Sequence, residues 1–317
     1  MESVPLSATS ESTFFESFGN FYYDRENEFT VSALRSMILN PSYYRIAVIF
    51  APAGMGKTHL LKACANEFLR SGEKAVYVSS LRILEELISA YRERRKLNFE
   101  FLRGSKAILI DDIHAFKGKG FALEFLARLM DKIESSGKML IMAGQGNPSQ
   151  FSDSQSFKTR LMSALKLGIN PPSRMVRERI FSSACNRVGI NPPRRIRDFV
   201  VENILNPRGI IGSVNRLGAY FEVFRSFPEN LEEILGDLVE RGEVDPFKIF
   251  GKGRQGKCLT AYYLKMKGKR AEEIAEILGC SRASVYNYIK RAKELLKKDK
   301  KMMEKMEGLL NGFNKLF

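Results

Sequence analysis

Residues 46–58 read Ile-Ala-Val-Ile-Phe-Ala-Pro-Ala-Gly-Met-Gly-Lys-Thr. The apolar run Ile46–Phe50 predicts a buried strand, and the small-residue loop after it leads into a helical stretch, His59–Phe68. A strand, a glycine-containing loop and Gly-Lys-Thr at a helix start make a phosphate cradle. In such a cradle the loop N–H groups face the anion, the lysine reaches the β- and γ-phosphates, and the threonine hydroxyl holds Mg²⁺. The candidate nucleotide-binding residues are therefore Pro52, Ala53, Gly54, Met55, Gly56, Lys57, Thr58 and His59. The strict pattern begins with glycine where this chain has Ala51, so the backbone there must keep a negative φ.

The 317 residues suggest two or three domains. Strand candidates follow the loop at Ala75–Val78, Ala107–Ile110 and Met139–Met142. Helical stretches His59–Arg70, Leu81–Arg95 and Phe121–Ser135 separate them, the alternation of a parallel sheet with crossover helices. The aromatic-rich segment Phe14–Phe29 is expected to pack as a lead-in near the nucleotide. Pro171-Pro172 breaks the chain before a mostly helical segment, Arg174–Gly236. Glu243–Gly256 reads as a linker, and Leu259–Lys298 as helical again. The expected organisation is a loose end (1–13), a nucleotide-binding domain (14–170), a helical segment (171–240), a further helical domain (241–298) and an amphipathic helix (299–317).

No apolar run approaches a membrane span, and the polar start Met1–Ser12 lacks a signal-peptide core. Cys64, Cys185, Cys258 and Cys280 show no paired spacing, which points to a reducing cytoplasm. With only His59 and His114, histidine-based metal chemistry is not expected. A net charge of +15 implies a polyanionic partner. The excess is localised: residues 241–317 carry 19 Lys/Arg against 9 Asp/Glu.

Ala107–Asp112 is an apolar strand ending in two acids, and ligands of open α/β sheets collect at strand carboxyl ends. Asp111 is placed near the metal and Asp112 where it polarises an attacking water. Together with the loop they imply ATP or GTP binding. Phosphoryl transfer also needs a cation on the γ-phosphate. Gln145 is the polar residue at the next strand end, and Arg160, Arg177, Arg208 and Arg216 are available cations.

In the basic end, Ala271–Leu278 has helical apolar spacing, Gly279-Cys280-Ser281 makes a turn, and Arg282 opens a second helix with Ser281 as its cap. This is helix-turn-helix spacing. Ile274, Ala275, Leu278, Val285 and Ile289 would form its core; Arg282, Ser284, Tyr286, Asn287 and Lys290 would face the groove. Arg282 suits guanine and Asn287 adenine. Lys252, Arg254, Lys257, Lys269 and Arg291 would contact phosphates. Beyond it, Met302, Met303, Met306, Leu309, Leu310, Phe313 and Phe317 lie along one helical side. That side either packs back on the DNA-binding domain or takes a partner.

The order of phosphate loop, acidic strand, helical lid and helix-turn-helix resembles the bacterial DnaA family of AAA+ replication initiators. Phe15-Glu-Ser-Phe18 with Asn27-Glu-Phe29 is similar to the family's lead-in. Gly54–Leu61, Ile110-Asp-Asp-Ile113 and Ser136-Gly-Lys138 resemble its nucleotide loop, acidic strand and approach to the next strand. Arg254-Gln255 with Tyr262-Tyr263-Leu264 resembles the opening of its DNA-binding domain. The resemblance implies a P-loop α/β AAA+ domain with a helical lid and an all-α helix-turn-helix domain. It implies ATP (or ADP) with Mg²⁺, duplex DNA, single-stranded DNA and self-assembly on DNA.

By position, Lys57, Thr58 and Asp111 inherit ATP–Mg²⁺ binding, and Asp112 the hydrolytic acid. Phe157–Leu161 matches the run that makes Arg160 the arginine finger, offered to a neighbouring subunit. Arg208-Gly-Ile-Ile-Gly212 makes Arg208 the sensor arginine, and Ile88 and Lys119 match the single-stranded-DNA grip.

The chain also departs from the family. Gln145 replaces an acidic sensor, Ser156 a second arginine, and Ser281-Arg-Ala-Ser284 the Asp-His-Thr-Thr core that reads the initiator box. The family's N-terminal helicase-recruiting domain is not expected, because the chain starts almost at the ATPase. At most a weak, assembly-dependent ATPase is expected. The implied role is replication initiation or its regulation in the cytoplasm, at the nucleoid; the alternative is an ATP-responsive transcription regulator.

Overall fold

The computed structural model describes residues 14–40, 44–96, 104–146, 154–229, 250 and 253–311. The chain forms two compact units, Met1–Pro171 and Pro172–Phe317. In the first, α1 (Arg25–Leu39) precedes β1 (Ile46–Phe50), α2 (Lys57–Arg70), β2 (Ala75–Ser79) and α3 (Ser80–Arg92). Then come β3 (Ala107–Asp111), a 3-10 turn (Ile113–Phe116), α4 (Gly120–Ser136), β4 (Met139–Gly144), α5 (Gln155–Ser163) and β5 (Leu165–Gly168). The strands form one sheet, order β2-β3-β4-β1-β5, with every pair parallel.

Strand alternation divides the core into two layers. From β1, Ala47 and Ile49 join α1 and α2 on one face, with Leu109, Ile141 and Ala143. Ile46, Val48 and Phe50 join α3 and α4 on the other, with Ile110, Met142 and Phe157. Burial on both faces explains why these strands read as continuous apolar runs. The register Phe50↔Gly144 and Ile110↔Met142 brings the carboxyl ends of β1, β3 and β4 to one edge. The phosphate loop, Asp111 and Gln145 all follow from that edge.

The sequence-derived elements need three adjustments. The lead-in continues into α1, and a fifth strand, β5, was not anticipated. The expected linker Glu243–Gly256 is too long, since Arg254–Gly256 already belong to a helix whose first turn is continuous with the apolar face behind it. Of its other residues, Phe250 and Gly253 are described and the rest lie outside the described residues, as does the expected boundary at 240/241.

In the second unit, α6 (Arg174–Val188), α7 (Arg194–Asn203) and α8 (Pro207–Phe224) pack around Phe181, Ile196, Val200, Ile210 and Leu217. Ser173 caps α6, and Asn206 caps α8 just before Pro207 at its first position. Next come α9 (Arg254–Met266), α10 (Ala271–Leu278), α11 (Arg282–Lys298) and α12 (Lys300–Asn311). Ile274, Leu278 and Val285 are buried, while Ala275 and Ile289 are partly so. On α12, Met306 is buried, and Met302 and Leu310 pack on the same apolar cluster, so this helix folds back on α9 and α11. Met303 stays 42% exposed; Phe313 and Phe317 lie outside the described residues. No helix among the described residues is long and apolar enough to cross a membrane.

Candidate functional site

The loop between β1 and α2 turns on glycines held in the left-handed region, Gly54 at φ +79 and Gly56 at φ +94. Ala51 is not among the positive-φ residues, as its side chain requires. Gly56 is fixed twice over, because a Cβ there would stand 2.8 Å from Phe21 Cε2. The helix starts at Lys57 with no side-chain cap, so its first N–H groups and its dipole point at the loop. Lys57 is buried; its ammonium donates to the carbonyls of Ala51 and Pro52, at 2.8 Å each, across the base of the loop. Pro52 and Ala53 form the exposed crest, and Met55 is buried beneath it.

Asp111 at the end of β3 is 3% exposed and tightly coordinated. Its Oδ2 accepts from the Thr58 hydroxyl at 2.6 Å and from the Tyr77 hydroxyl at 2.9 Å. Its Oδ1 accepts from the Asp112 N–H at 2.9 Å. Burial and the Asp111 charge push the Tyr77 hydroxyl up, which keeps it protonated as a donor. Tyr77 was not singled out from the sequence, although strand parity marks it. In the register Ser79↔Asp111 and Tyr77↔Leu109, Tyr77 shares the Asp111 face. Ser80, also unanticipated, donates to the Asp111 carbonyl at 2.6 Å.

Asp112 is exposed and left-handed, φ +56, at the start of the 3-10 turn. Gln145 is exposed directly after β4. Anion-facing N–H groups beside a buried ammonium, with hydroxyl and carboxylate oxygens next to them, suit a phosphate chain carrying a hard cation.

The lead-in packs on this site as expected. The Phe21 ring meets His59 edge-on at 5.3 Å and stacks with Tyr23 at 6.4 Å. His59 Nε2 lies 3.0 Å from the Ser17 carbonyl, so that nitrogen carries the proton. Burial holds the imidazole below its ordinary range, which keeps it neutral.

The remaining residues are more dispersed. Arg160, on α5, forks onto Asp131 of α4. Ile88 is 39% exposed on α3, and exposed Lys119 precedes α4, its ammonium on the Ala115 carbonyl at 2.7 Å. Arg208 is exposed on the first turn of α8, in the second unit. Arg177 is instead a brace, with Nε on the Val201 carbonyl and Nη1 on that of Pro172.

In the helix-turn-helix, Gly279 turns the chain at φ +59 and Ser281 accepts from the Ser284 N–H at 3.2 Å. Arg282, Tyr286, Asn287 and Lys290 are exposed, Ser284 partly so. Arg282 pairs with Glu272 of α10 at 2.9 Å. Arg254 and Lys257 of α9 line an open cleft of about 480 Å³ with Ser284, Asn287 and Tyr288 of α11. Lys269 is partly exposed after α9, and Lys252 lies outside the described residues.

Residues 13–171, half of the chain, match the family model of the bacterial DnaA ATPase domain; residues 256–296 match that of sigma-70 region 4. The chromosomal replication initiator protein DnaA of Kosmotoga olearia is 25% identical over 93% of this chain and 74% of its own length. That of Methylacidiphilum infernorum is 28% identical over 70% of this chain and 51% of its own. Among solved structures, AMPPCP-bound DnaA from Aquifex aeolicus aligns with a TM-score of 0.64 at 18% identity, over 95% of this chain and 98% of that one. A DnaA bound to AMPPCP and single-stranded DNA aligns with the same score at 17% identity, over 94% and 97%. The RuvB branch migration motor of Thermotoga maritima shares the fold with a TM-score of 0.53, at 16% identity over 87% and 90%. On the extent of the ATPase match, the chain belongs to the bacterial DnaA family, with an AAA+ sheet domain and a C-terminal helix-turn-helix.

Proposed function

We propose that this protein binds ATP with Mg²⁺ after β1, binds duplex DNA through α10 and α11, and acts in chromosomal replication initiation or its regulation. The observation that carries the reading is the convergence of the Thr58 and Tyr77 hydroxyls on the buried Asp111 carboxylate, beside a left-handed glycine loop. Lys57 holds the β- and γ-phosphates, and Thr58 and Asp111 hold the cation. Bound Mg²⁺ screens the phosphate charge. Asp112 orients water at the exposed edge, and Gln145, without an acid's charge, leaves hydrolysis slow. Arg160 serves a neighbouring subunit's nucleotide and Arg208 senses the bound state. A second arginine is replaced by Ser156, so self-assembly on DNA relies on Arg160.

Arg282, Ser284, Tyr286, Asn287 and Lys290 face the groove, while Arg254, Lys257, Lys269 and Arg291 grip phosphates. Ile88 and Lys119 are the single-stranded-DNA contacts, a role motivated by the single-stranded DNA in a solved relative. The domain divisions drawn from the sequence, and residence at the nucleoid, belong to the same reading. Duplex-site selection with ATP, with ADP and without nucleotide tests it. A preferred site whose affinity responds to nucleotide is expected; duplex binding of equal strength at every sequence and salt concentration would overturn it.

A regulator of transcription is the second reading, favoured by the altered Ser281–Ser284 run and by the sigma-70 region 4 match over residues 256–296. Genome-wide binding separates the two: one cluster at the origin supports initiation, and scattered promoters support transcription.

A further inference from the structure

Arg160 has most of its hydrogen-bonding capacity filled within its own chain. Its Nε donates to Asp131 Oδ1 at 2.5 Å and its Nη2 donates to Oδ2 at 2.6 Å, two parallel bonds to one carboxylate. Its Nη1 donates to the Ser156 carbonyl at 3.0 Å and to the Ser156 hydroxyl at 2.7 Å. The guanidinium and carboxylate stabilise each other's charges, raising the pKa of Arg160 and lowering that of Asp131. Glu124 and Glu134, on the same side of α4 as Asp131, add to the negative field around the arginine.

Each edge of a guanidinium forks onto one planar acceptor at a time. A phosphate of a neighbouring subunit and the Asp131 carboxylate therefore exclude each other at the Nε–Nη2 edge. We propose that Asp131 and Ser156 form an intramolecular latch that competes with a neighbour's triphosphate for Arg160, and so raises the protein concentration needed for assembly. This deepens the reading of Arg160 as the finger and rests on it. The side chains of Arg160 and Asp131 are 32% and 50% exposed, so the latch is screened by water and yields to a more highly charged phosphate. Ser156 contributes the second anchor, at the position where the family carries another cation.

The test is the ATPase rate of the full chain against protein concentration, at saturating ATP, for the parent and for Asp131→Asn, Ser156→Ala and Arg160→Ala. Asp131→Asn keeps the side-chain shape and removes the charge. It is expected to move the half-maximal concentration roughly two- to fivefold lower, with Ser156→Ala moving it less in the same direction. Arg160→Ala is expected to abolish the concentration dependence. If Arg160→Ala abolishes it while Asp131→Asn leaves the midpoint in place or raises it, the latch is overturned and the finger stands. If Arg160→Ala changes nothing, finger and latch fall together.

Discussion

Asp111 and Arg282 both stand at the working edge of their elements, and they are held in opposite ways. Asp111 is 3% exposed and accepts hydrogen bonds from two hydroxyls and a backbone N–H. The Arg282 side chain is 63% exposed and has Glu272 as its salt-bridge partner, itself 59% exposed. The first arrangement is fixed by the fold and costs little further ordering when a ligand arrives. The second can exchange its carboxylate for a base edge or a phosphate. On the proposed function, a site for a ligand of constant chemistry is preorganised, and a site for a sequence-dependent one keeps its rotamers available.

The sharpest challenge to that contrast is Lys57→Ala. Loss of the buried ammonium should weaken ATP binding by about a hundredfold or more by calorimetry, with duplex binding in the absence of nucleotide unchanged. Equal loss of both would show that the two regions are not independent. Paired glycine substitutions come next. Gly56→Ala meets both its φ of +94 and the Phe21 ring, and should destabilise the first unit by about 1–3 kcal/mol in denaturant unfolding. Gly279→Ala meets only its φ of +59, with nothing within 4 Å, and should cost about 1 kcal/mol.

Arg254→Ala should weaken all duplexes alike and reduce the logarithmic salt slope by about one, read from gel shifts across a salt series. A sequence-selective loss would instead make Arg254 a base contact. Smallest is Ser281→Ala, which removes the α11 cap and should lower stability by about 0.5–1 kcal/mol in a melt, leaving ATP affinity unmoved.

What the sequence revealed follows the same division. β1, β3 and β4 were visible because burial on both faces requires unbroken apolar runs. β5 was hidden because it is an edge strand of four residues in which only Leu167 is fully buried. α1 was hidden because its buried face includes Asn27 and Thr30, whose side chains donate to the Asn170 and Gly168 carbonyls beside β5. These polar residues interrupt the apolar period that would have marked a helix. The phosphate loop was legible because backbone geometry demands its glycines and Lys57 follows them at a fixed spacing. Tyr77 and Ser80 escaped notice because a hydroxyl near a strand end has no motif, and its partner depends on the register of the sheet. On α11 the cap and core could be read from periodicity. The pairing of Arg282 with Glu272, and the cleft formed by α9 with α11, required three-dimensional neighbours.

The chain contains no tryptophan. The ring of Tyr23 stacks on Phe21, and Phe21 in turn rests against Gly56 of the phosphate loop. An indole introduced as Tyr23→Trp would therefore be the sole long-wavelength fluorophore, one ring removed from the proposed triphosphate seat. Its emission would give a continuous optical record of nucleotide arrival and departure, without a label and without any turnover.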